Sequence, residues 1–491
     1  VDAAKGAGAD DSLAAVLKSA EQADKLAEVA GIKDTSGTDS TPTAATASPE
    51  TLSALFKVVK KVDDNKEEVK AAPVTTPAEG EDAPAVVALN SNDIFGKLVD
   101  VVSLTETATT VGNNEDAFES VLENPLMAED LVKVVDAAIG ANADDKLEAI
   151  LKSADQGDKL AAVVATAEKA DVDSGSGAKK AKLGALFDVV KKVDDAKETA
   201  KTAAPDATGA VNVTDVFDNI EAVVELAETA ADAATNADGV ADEAAKSAFL
   251  NNVFKVADKA RELQAVVQAA ASAQGDTAND QANAQALGSI LSLATDETRV
   301  AALVNVAGIK TTIVDGVKVV QAKEIAEEDV AAHNNKLSAL LAVVEKVDAA
   351  AEAGSTDISA DAVFTNIELV VGLAEDTGTN GITEADRTLA LNSVLKTAKN
   401  ENAAQVLQAA RDVADKVKAA GADDYATNLA NVLKYAETAD KLLAVADAAG
   451  DGAEARRHGV RIGPGGALSI ADGVGRGVAE VGWSCAVRCW H

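Results

Sequence analysis

The sequence predicts an all-α protein made of tandem four-helix repeats of about 140 residues, which form an elongated helical-repeat or bundle array. Two observations carry this prediction: a 16-residue stretch recurs along the chain, and its apolar residues follow helical spacing. The stretches at 52–67 and 183–198 differ at three of 16 positions, and a more divergent copy spans 336–352. The apolar stripe of the first copy is formed by Leu52, Leu55, Phe56, Val59 and Val62.

Each repeat is predicted to contain four helical segments, of which this recurring stretch is the second. The first segment sets the phase, because it occurs four times with equivalent residues Leu13, Leu147, Leu287 and Leu429. This spacing exceeds that of single solenoid units such as TPR or HEAT. The predicted division is repeat 1 (1–142), repeat 2 (143–282), repeat 3 (283–420), a partial repeat 4 (421–450) and an irregular Gly/Arg-rich tail (451–491).

The third and fourth segments complete each repeat. The third carries one phenylalanine in each copy, Phe95, Phe217 and Phe364, which we expect to anchor the core. The fourth spans about 115–139, 243–271 and 386–419, and Pro125 is predicted to break it in repeat 1. Aspartates such as Asp144 and Asp145 are predicted to cap the first segments.

The connections differ between repeats. Repeat 1 joins its first two segments through the Thr-, Ser- and Pro-rich stretch 34–50, whereas repeat 2 uses a short link at 174–180. Repeat 3 inserts two β-branched runs at 311–320 around Asp315-Gly316, a pattern typical of a β-hairpin. Constant segments with variable connections are typical of a frame that displays changeable surfaces.

Charge excludes several classes of partner. The formal net charge is −36, which argues against nucleic acid and against an anionic membrane surface, because both need clustered Lys and Arg. There is no run of about 18 apolar residues, so we expect no membrane insertion. Residues 1–12 repeat the pattern of 135–146, so we expect any targeting segment to lie outside this sequence.

The composition changes abruptly from about Asp451. This part holds five of the nine arginines, both tryptophans and both cysteines. Cys485, Cys489 and His491 are candidate zinc ligands, but a single cysteine pair is a weak zinc pattern. The alternative is a foreign or frame-shifted terminal segment, which we expect to be poorly ordered.

One segment resembles the start of an EF-hand calcium loop. DTGTNGITEADR (376–387) places Asp376 and Asn380 at suitable positions, and the matching loop in repeat 2 retains Asp238. The third position is glycine, however, and the twelfth is Arg387 where an EF-hand has a bidentate Glu. Asp376, Asn380 and Asp238 are therefore calcium candidates, and a helix-ending turn followed by an N-cap is the favoured alternative.

No residue is predicted to be catalytic or to bind a cofactor other than calcium. The body contains one histidine, His333, which we expect in a loop, and no cysteine before the tail. Carboxylate pairs such as Asp63-Asp64 and Asp194-Asp195 are interpreted as solvated helix faces, because adjacent helical residues point in different directions.

The sequence therefore favours a non-enzymatic structural or surface protein. The leading hypothesis is a self-assembling subunit of an extracellular filament, sheath or surface layer, associating through its repeat ends. The alternative is an adhesion or binding module that displays variable loops on a helical frame, with an unidentified protein or glycan ligand. Both place the protein outside the cell or at its surface.

Overall fold

The computed structural model confirms that the protein is mostly helical. It describes residues 12–31, 47–71, 88–112, 114–174, 176–202, 211–235, 240–274, 280–314, 317–323, 325–378, 382–420, 425–436, 460–462 and 468–470. The chain packs as two compact units, Val1–Ala231 and Asp232–His491, and the boundary falls in the last turn of a helix.

Twelve α-helices are described from the start of the chain to that boundary. They are α1 Leu13–Lys18, α2 Ala23–Val29, α3 Pro49–Ala71, α4 Ser91–Gly96, α5 Leu98–Thr110, α6 Glu115–Glu123, α7 Ala128–Gly140, α8 Leu147–Lys152, α9 Gly157–Ser174, α10 Ser176–Thr202, α11 Val213–Asp218 and α12 Ile220–Ala233.

The second compact unit is described by ten further helices and four strands. They are α13 Glu243–Lys255, α14 Ala260–Gln274, α15 Asp280–Leu293, α16 Glu297–Ala307, β1 Ile309–Val314, β2 Val317–Ala322, α17 Val330–Glu352, α18 Ala360–Thr365, α19 Ile367–Thr377, α20 Glu384–Thr397, α21 Ala403–Ala420, α22 Tyr425–Lys434, β3 Val460–Ile462 and β4 Leu468–Ile470.

The second segments are the long uninterrupted helices α3, α10 and α17. Their apolar stripe is buried as expected: Val58, Val59 and Val62 of α3 are at most 1 % exposed. Helix α3 packs against α1 and α5, α10 packs against α8 and α9, and α17 packs against α15 and α19. In repeats 1 and 3 the second segment therefore packs against the first and third segments, and in repeat 2 it packs against both helices of the first segment.

The other three segments are each broken into two helices, although we predicted one continuous helix for the first. A 3₁₀ turn interrupts the first segment at Ala20–Gln22 and again at Ala154–Gln156. In the third segment the break falls at Asn219 and at Asn366, whose side-chain amides donate to the carbonyls four residues earlier at 3.0 Å. The equivalent break in repeat 1 falls at Lys97, which makes no such bond, so the asparagine bonds accompany the break and do not cause it.

Two predicted local features are confirmed and one is wrong. Pro125 starts a 3₁₀ turn, Pro125–Met127, between α6 and α7. Strands β1 and β2 pair antiparallel, with Val314 opposite Val317. Asp144 and Asp145 lie in a 3₁₀ turn, Asp144–Lys146, and no side chain caps α8. That turn provides backbone bonding at the helix start in place of a carboxylate cap.

The three predicted phenylalanine anchors are buried. Phe95 is 3 % exposed, Phe217 is 1 % exposed and Phe364 is 7 % exposed. In the tail that we expected to be irregular, β3 and β4 pair antiparallel over three residues each. Among the residues described, no helix is both long enough and apolar enough to span a membrane.

Candidate functional site

The calcium candidates are only partly described. Asp376 is 5 % exposed in the last turn of α19, whereas Asn380 and Asp238 lie outside the described residues. Downstream, Thr383 caps α20 by accepting from the Asp386 backbone amide at 3.2 Å. The described ends of this segment are thus a helix end and an N-cap. Within the described residues no group of three His, Cys, Asp or Glu side chains could hold a metal ion, and calcium binding stays a prediction.

Cys485, Cys489 and His491 also lie outside the described residues. His333 is described, and its predicted place in a loop is wrong, because it lies in the first turns of α17. Burial, together with the nearby positive charge of Lys336, lowers the pKa of this imidazole below its ordinary value. His333 is therefore neutral at physiological pH.

The first compact unit contains a groove of about 650 Å³ between α7, α9 and α10. Its charged rim includes an ion pair in which Lys179 Nζ lies 3.8 Å from Glu168 Oε1. The described lining residues include no Ser, Thr, Cys or His, and their ionisable side chains are three lysines and two carboxylates. They are Lys133, Asp136, Ala137, Gly140, Ala141, Asn142, Ala161, Val164, Ala165, Glu168, Lys179, Lys180 and Leu183.

A polar contact between the first and second segments recurs in all three repeats. In repeat 1, Lys18 Nζ lies 2.9 Å from Asp63 Oδ2. The equivalent atoms in repeat 2 belong to Lys152 and Asp194, 3.9 Å apart. In repeat 3 the lysine is replaced by Ser292, whose hydroxyl donates to the Asp348 carboxylate at 2.6 Å. The same two positions thus join the same two segments although the donor changes.

The repeat 2 contact is the most buried of the three. Burial raises the pKa of the Asp194 carboxyl above its ordinary value, and the nearby Lys152 charge only partly offsets this. For Lys152, burial acts to lower the pKa, but the hydrogen bond to Glu148 and the charges of Asp194 and Glu198 outweigh it, and the pKa is raised. Lys152 is therefore charged at neutral pH and faces three carboxylates.

A second recurring contact joins the fourth segment of one repeat to the first segment of the next. The Ser120 hydroxyl on α6 donates to the backbone carbonyl of Lys152 at 3.2 Å. At the equivalent position of α13, the Asn252 amide donates to the carbonyl of Ser292 at 2.9 Å. Both bonds are accepted by a carbonyl at the C-terminal end of the first helix of that segment, where carbonyls lack intrahelical donors.

The sequence interpretation missed both recurring contacts. It treated Asp63 and Asp194 as solvated, although Asp194 is 7 % exposed. The available signal was the repetition itself, because a lysine recurs at one position of the first segment and an aspartate at one position of the second.

Comparison with known proteins identifies no relative of this chain. No protein-family model, no curated protein and no solved structure matches this chain.

Proposed function

We propose that this chain is a non-enzymatic structural or surface protein, a self-assembling subunit of an extracellular filament, sheath or surface layer. Its building block in this proposal is the tandem four-helix repeat of about 140 residues predicted from the sequence. The observation that carries the proposal is the recurrence of both junctions. The Lys18–Asp63, Lys152–Asp194 and Ser292–Asp348 contacts occupy equivalent positions, and so do the Ser120 and Asn252 bonds.

A recurring junction supports assembly because an interface that works within a chain can also work between chains. Repeat arrays bury their apolar faces against neighbouring repeats, and the ends are the places where a neighbour is lacking. Head-to-tail contacts that do not close into a ring produce open filaments. Self-association through the repeat ends is therefore the proposed mode of assembly.

The surface charge supports a role outside the nucleic-acid-binding classes. A formal net charge of −36 repels phosphate backbones and suits a highly soluble protein. The same acidic surface is suited to bridging by divalent cations such as calcium.

The experiment is negative-stain electron microscopy of the purified full chain, with light scattering, in the presence and absence of millimolar calcium. We expect regular fibres or sheets, and calcium dependence would indicate bridging of the acidic surface. Single particles that stay monomeric at every salt and calcium concentration would contradict the proposal.

A binding or adhesion module is the second candidate, favoured by the hairpin of β1 and β2. This hairpin follows the first segment of repeat 3, where the connections of the other repeats differ in length. An inserted element on a constant frame is a typical way to present a ligand surface. Deletion of 310–321 should abolish binding to a protein or glycan array without changing helix content if this candidate is correct.

A further inference from the structure

One apolar face of the first segments is covered in repeats 2, 3 and 4 but open in repeat 1. Leu17 is 59 % exposed, whereas the equivalent Leu151, Leu291 and Leu433 are each 0 % exposed. The four leucines occupy the same position of the same segment. The difference therefore lies in what packs against them.

The difference extends along the whole face. Ala20 is exposed, while its equivalents Ala154, Ala294 and Ala436 are at most 1 % exposed. Leu26 and Val29 are partly exposed in α2. Their counterparts in repeats 2 and 3 are at most 1 % exposed, and these are Leu160, Val163, Val300 and Leu303.

The cover in the later repeats is the fourth segment of the preceding repeat. Helix α8 packs against α6 and α7, α15 packs against α13 and α14, and α22 packs against α20 and α21. Helices α1 and α2 pack on their other side against α3, and α2 also contacts α5. The open face of α1–α2 is thus shaped for a fourth segment.

Each of the three described fourth segments already packs against a first segment, and α20–α21 packs against the described helix α22. Within the described residues, no second segment packs on α22. Tyr435, which follows α22, is 48 % exposed, whereas the equivalent Ser19, next to α3, is 6 % exposed. Besides Leu433 and its neighbours, α22 is held by an ion pair in which Lys434 Nζ lies 2.6 Å from Asp386 Oδ1.

The open segment closely matches the segment in that last place. Residues 12–30 and 428–446 differ at six of 19 positions. The shared residues include the leucine that enters the fourth segment (Leu17 or Leu433) and the following lysine (Lys18 or Lys434). Lys18 therefore stands at the position whose charge binds Asp386, and in this structure it pairs with Asp63.

We propose that α1–α2 of one molecule dock on the fourth segment of repeat 3, α20–α21, of a second copy of this chain and displace its α22. The contact continues the array head to tail and would make α22 an internal competitor of assembly. This inference rests on the proposed function and names the surfaces that join. A competitor in the same chain has an effective concentration in the millimolar range for short linkers, so the unaltered chain should associate weakly.

The first test loosens the competitor in the full chain. Lys434→Glu repels Asp386 from α22 but leaves Lys18 of the incoming molecule unchanged, and Leu433→Ala removes buried contact from the same helix. We expect each variant to strengthen self-association about tenfold or more in analytical ultracentrifugation, because a charge-assisted bond or a buried leucine is lost only from the competitor. Circular dichroism checks that each variant remains helical.

The second test blocks the open face. Leu17→Glu should abolish the association of the Lys434→Glu chain, whereas Leu126→Glu should not, although Leu126 is 60 % exposed and so matched in size and exposure. A photo-crosslinking amino acid at position 17 should then yield intermolecular crosslinks to Glu384–Ala420.

The outcomes separate this inference from the proposed function. Association that resists Leu17→Glu, equal loss with Leu126→Glu, or crosslinks from position 17 to residues 12–31 of the other molecule would each overturn the inference and leave self-assembly standing. If the unaltered chain and both loosened variants stay monomeric, the inference and the proposed function fail together.

Discussion

Asp194 is a buried carboxylate that lies too far from its lysine to be well compensated. Its oxygen is 3.9 Å from Lys152 Nζ, whereas Asp63 lies 2.9 Å from Lys18. Burial raises the pKa of Asp194, so the folded state disfavours its charged form. We therefore expect the repeat 2 contact to stabilise the fold less than the repeat 1 contact.

We expect Asp194→Asn to raise the free energy of unfolding at pH 7 by about 0.5–1 kcal/mol. The pKa of Asp194 is higher in the folded state than in the unfolded state. The gain in unfolding free energy from Asp194→Asn is therefore present above the folded pKa of Asp194 and is lost as the pH falls through that pKa. Thermal unfolding of both proteins between pH 7 and pH 4 checks this. Asp63→Asn is the matched control and should not stabilise, and an unchanged or lower midpoint for Asp194→Asn at pH 7 would contradict the argument.

At the scale of residues, the sequence predicted which apolar side chains are buried better than which polar ones are. Helical spacing identifies Phe95, Phe217 and Phe364 because a core position shows in the residue type itself. Burial of Asp194 depends on how closely α8 approaches α10, and spacing within one helix does not contain that distance. The calcium candidates Asp376, Asn380 and Asp238 stay a prediction for the same reason, since a metal site depends on a loop's three-dimensional path.

At the scale of elements, Gly372 shows how a side chain from one helix enters the space left by another. A Cβ at position 372 of α19 would lie 1.7 Å from Nη1 of Arg411 on α21. The equivalent residues in repeat 2 are Glu225 and Val267, so glycine and arginine occur together in repeat 3. The guanidinium occupies the volume that the missing Cβ leaves.

A double-mutant cycle tests this pairing. Gly372→Ala alone gains helix propensity but forces Arg411 to move, whereas in an Arg411→Ala background only the gain remains. We expect a coupling free energy of about 0.5–3 kcal/mol from chemical denaturation of the four proteins. Gly184, where a Cβ would meet nothing within 4 Å, is the control, and Gly184→Ala should show no coupling to Arg411→Ala. Additive effects at Gly372 and Arg411 would show that the helices tolerate the methyl group.

The sequence allowed one kind of helix break to be predicted and not the other. Pro125 was identifiable because proline lacks the backbone donor. The breaks at Asn219 and Asn366 escaped prediction because residue type carries no signal for them, and the equivalent position in repeat 1 is Lys97, a good helix former. The long second segments lack such interruptions and were predicted correctly as helices.

At the scale of the whole molecule, a formal net charge of −36 opposes any association between copies. The screening length is about 30 Å at 0.01 M salt and about 8 Å at 0.15 M, so repulsion between whole molecules should fall steeply over that range. Salt also weakens the partly exposed Lys434–Asp386 pair that holds the competing helix α22.

We expect self-association to increase when sodium chloride is raised from 0.01 M to 0.15 M, and to increase further with calcium at the same ionic strength. Light scattering at fixed protein concentration measures both effects. Equal scattering in calcium and sodium chloride would mean that screening alone acts, and a decrease with salt would indicate that ion pairs between molecules dominate.

The near identity of α3 and α10 has a consequence for how the chain reaches its native state. Their recurring stretches differ at three of 16 positions, and each presents an aspartate to a lysine of its own first segment. During refolding, α3 therefore meets two almost equivalent partners, one of which belongs to the wrong repeat. Escape from such a mispaired intermediate requires buried contacts to separate, so refolding should show a slow phase whose amplitude shrinks when the two stretches are made less alike.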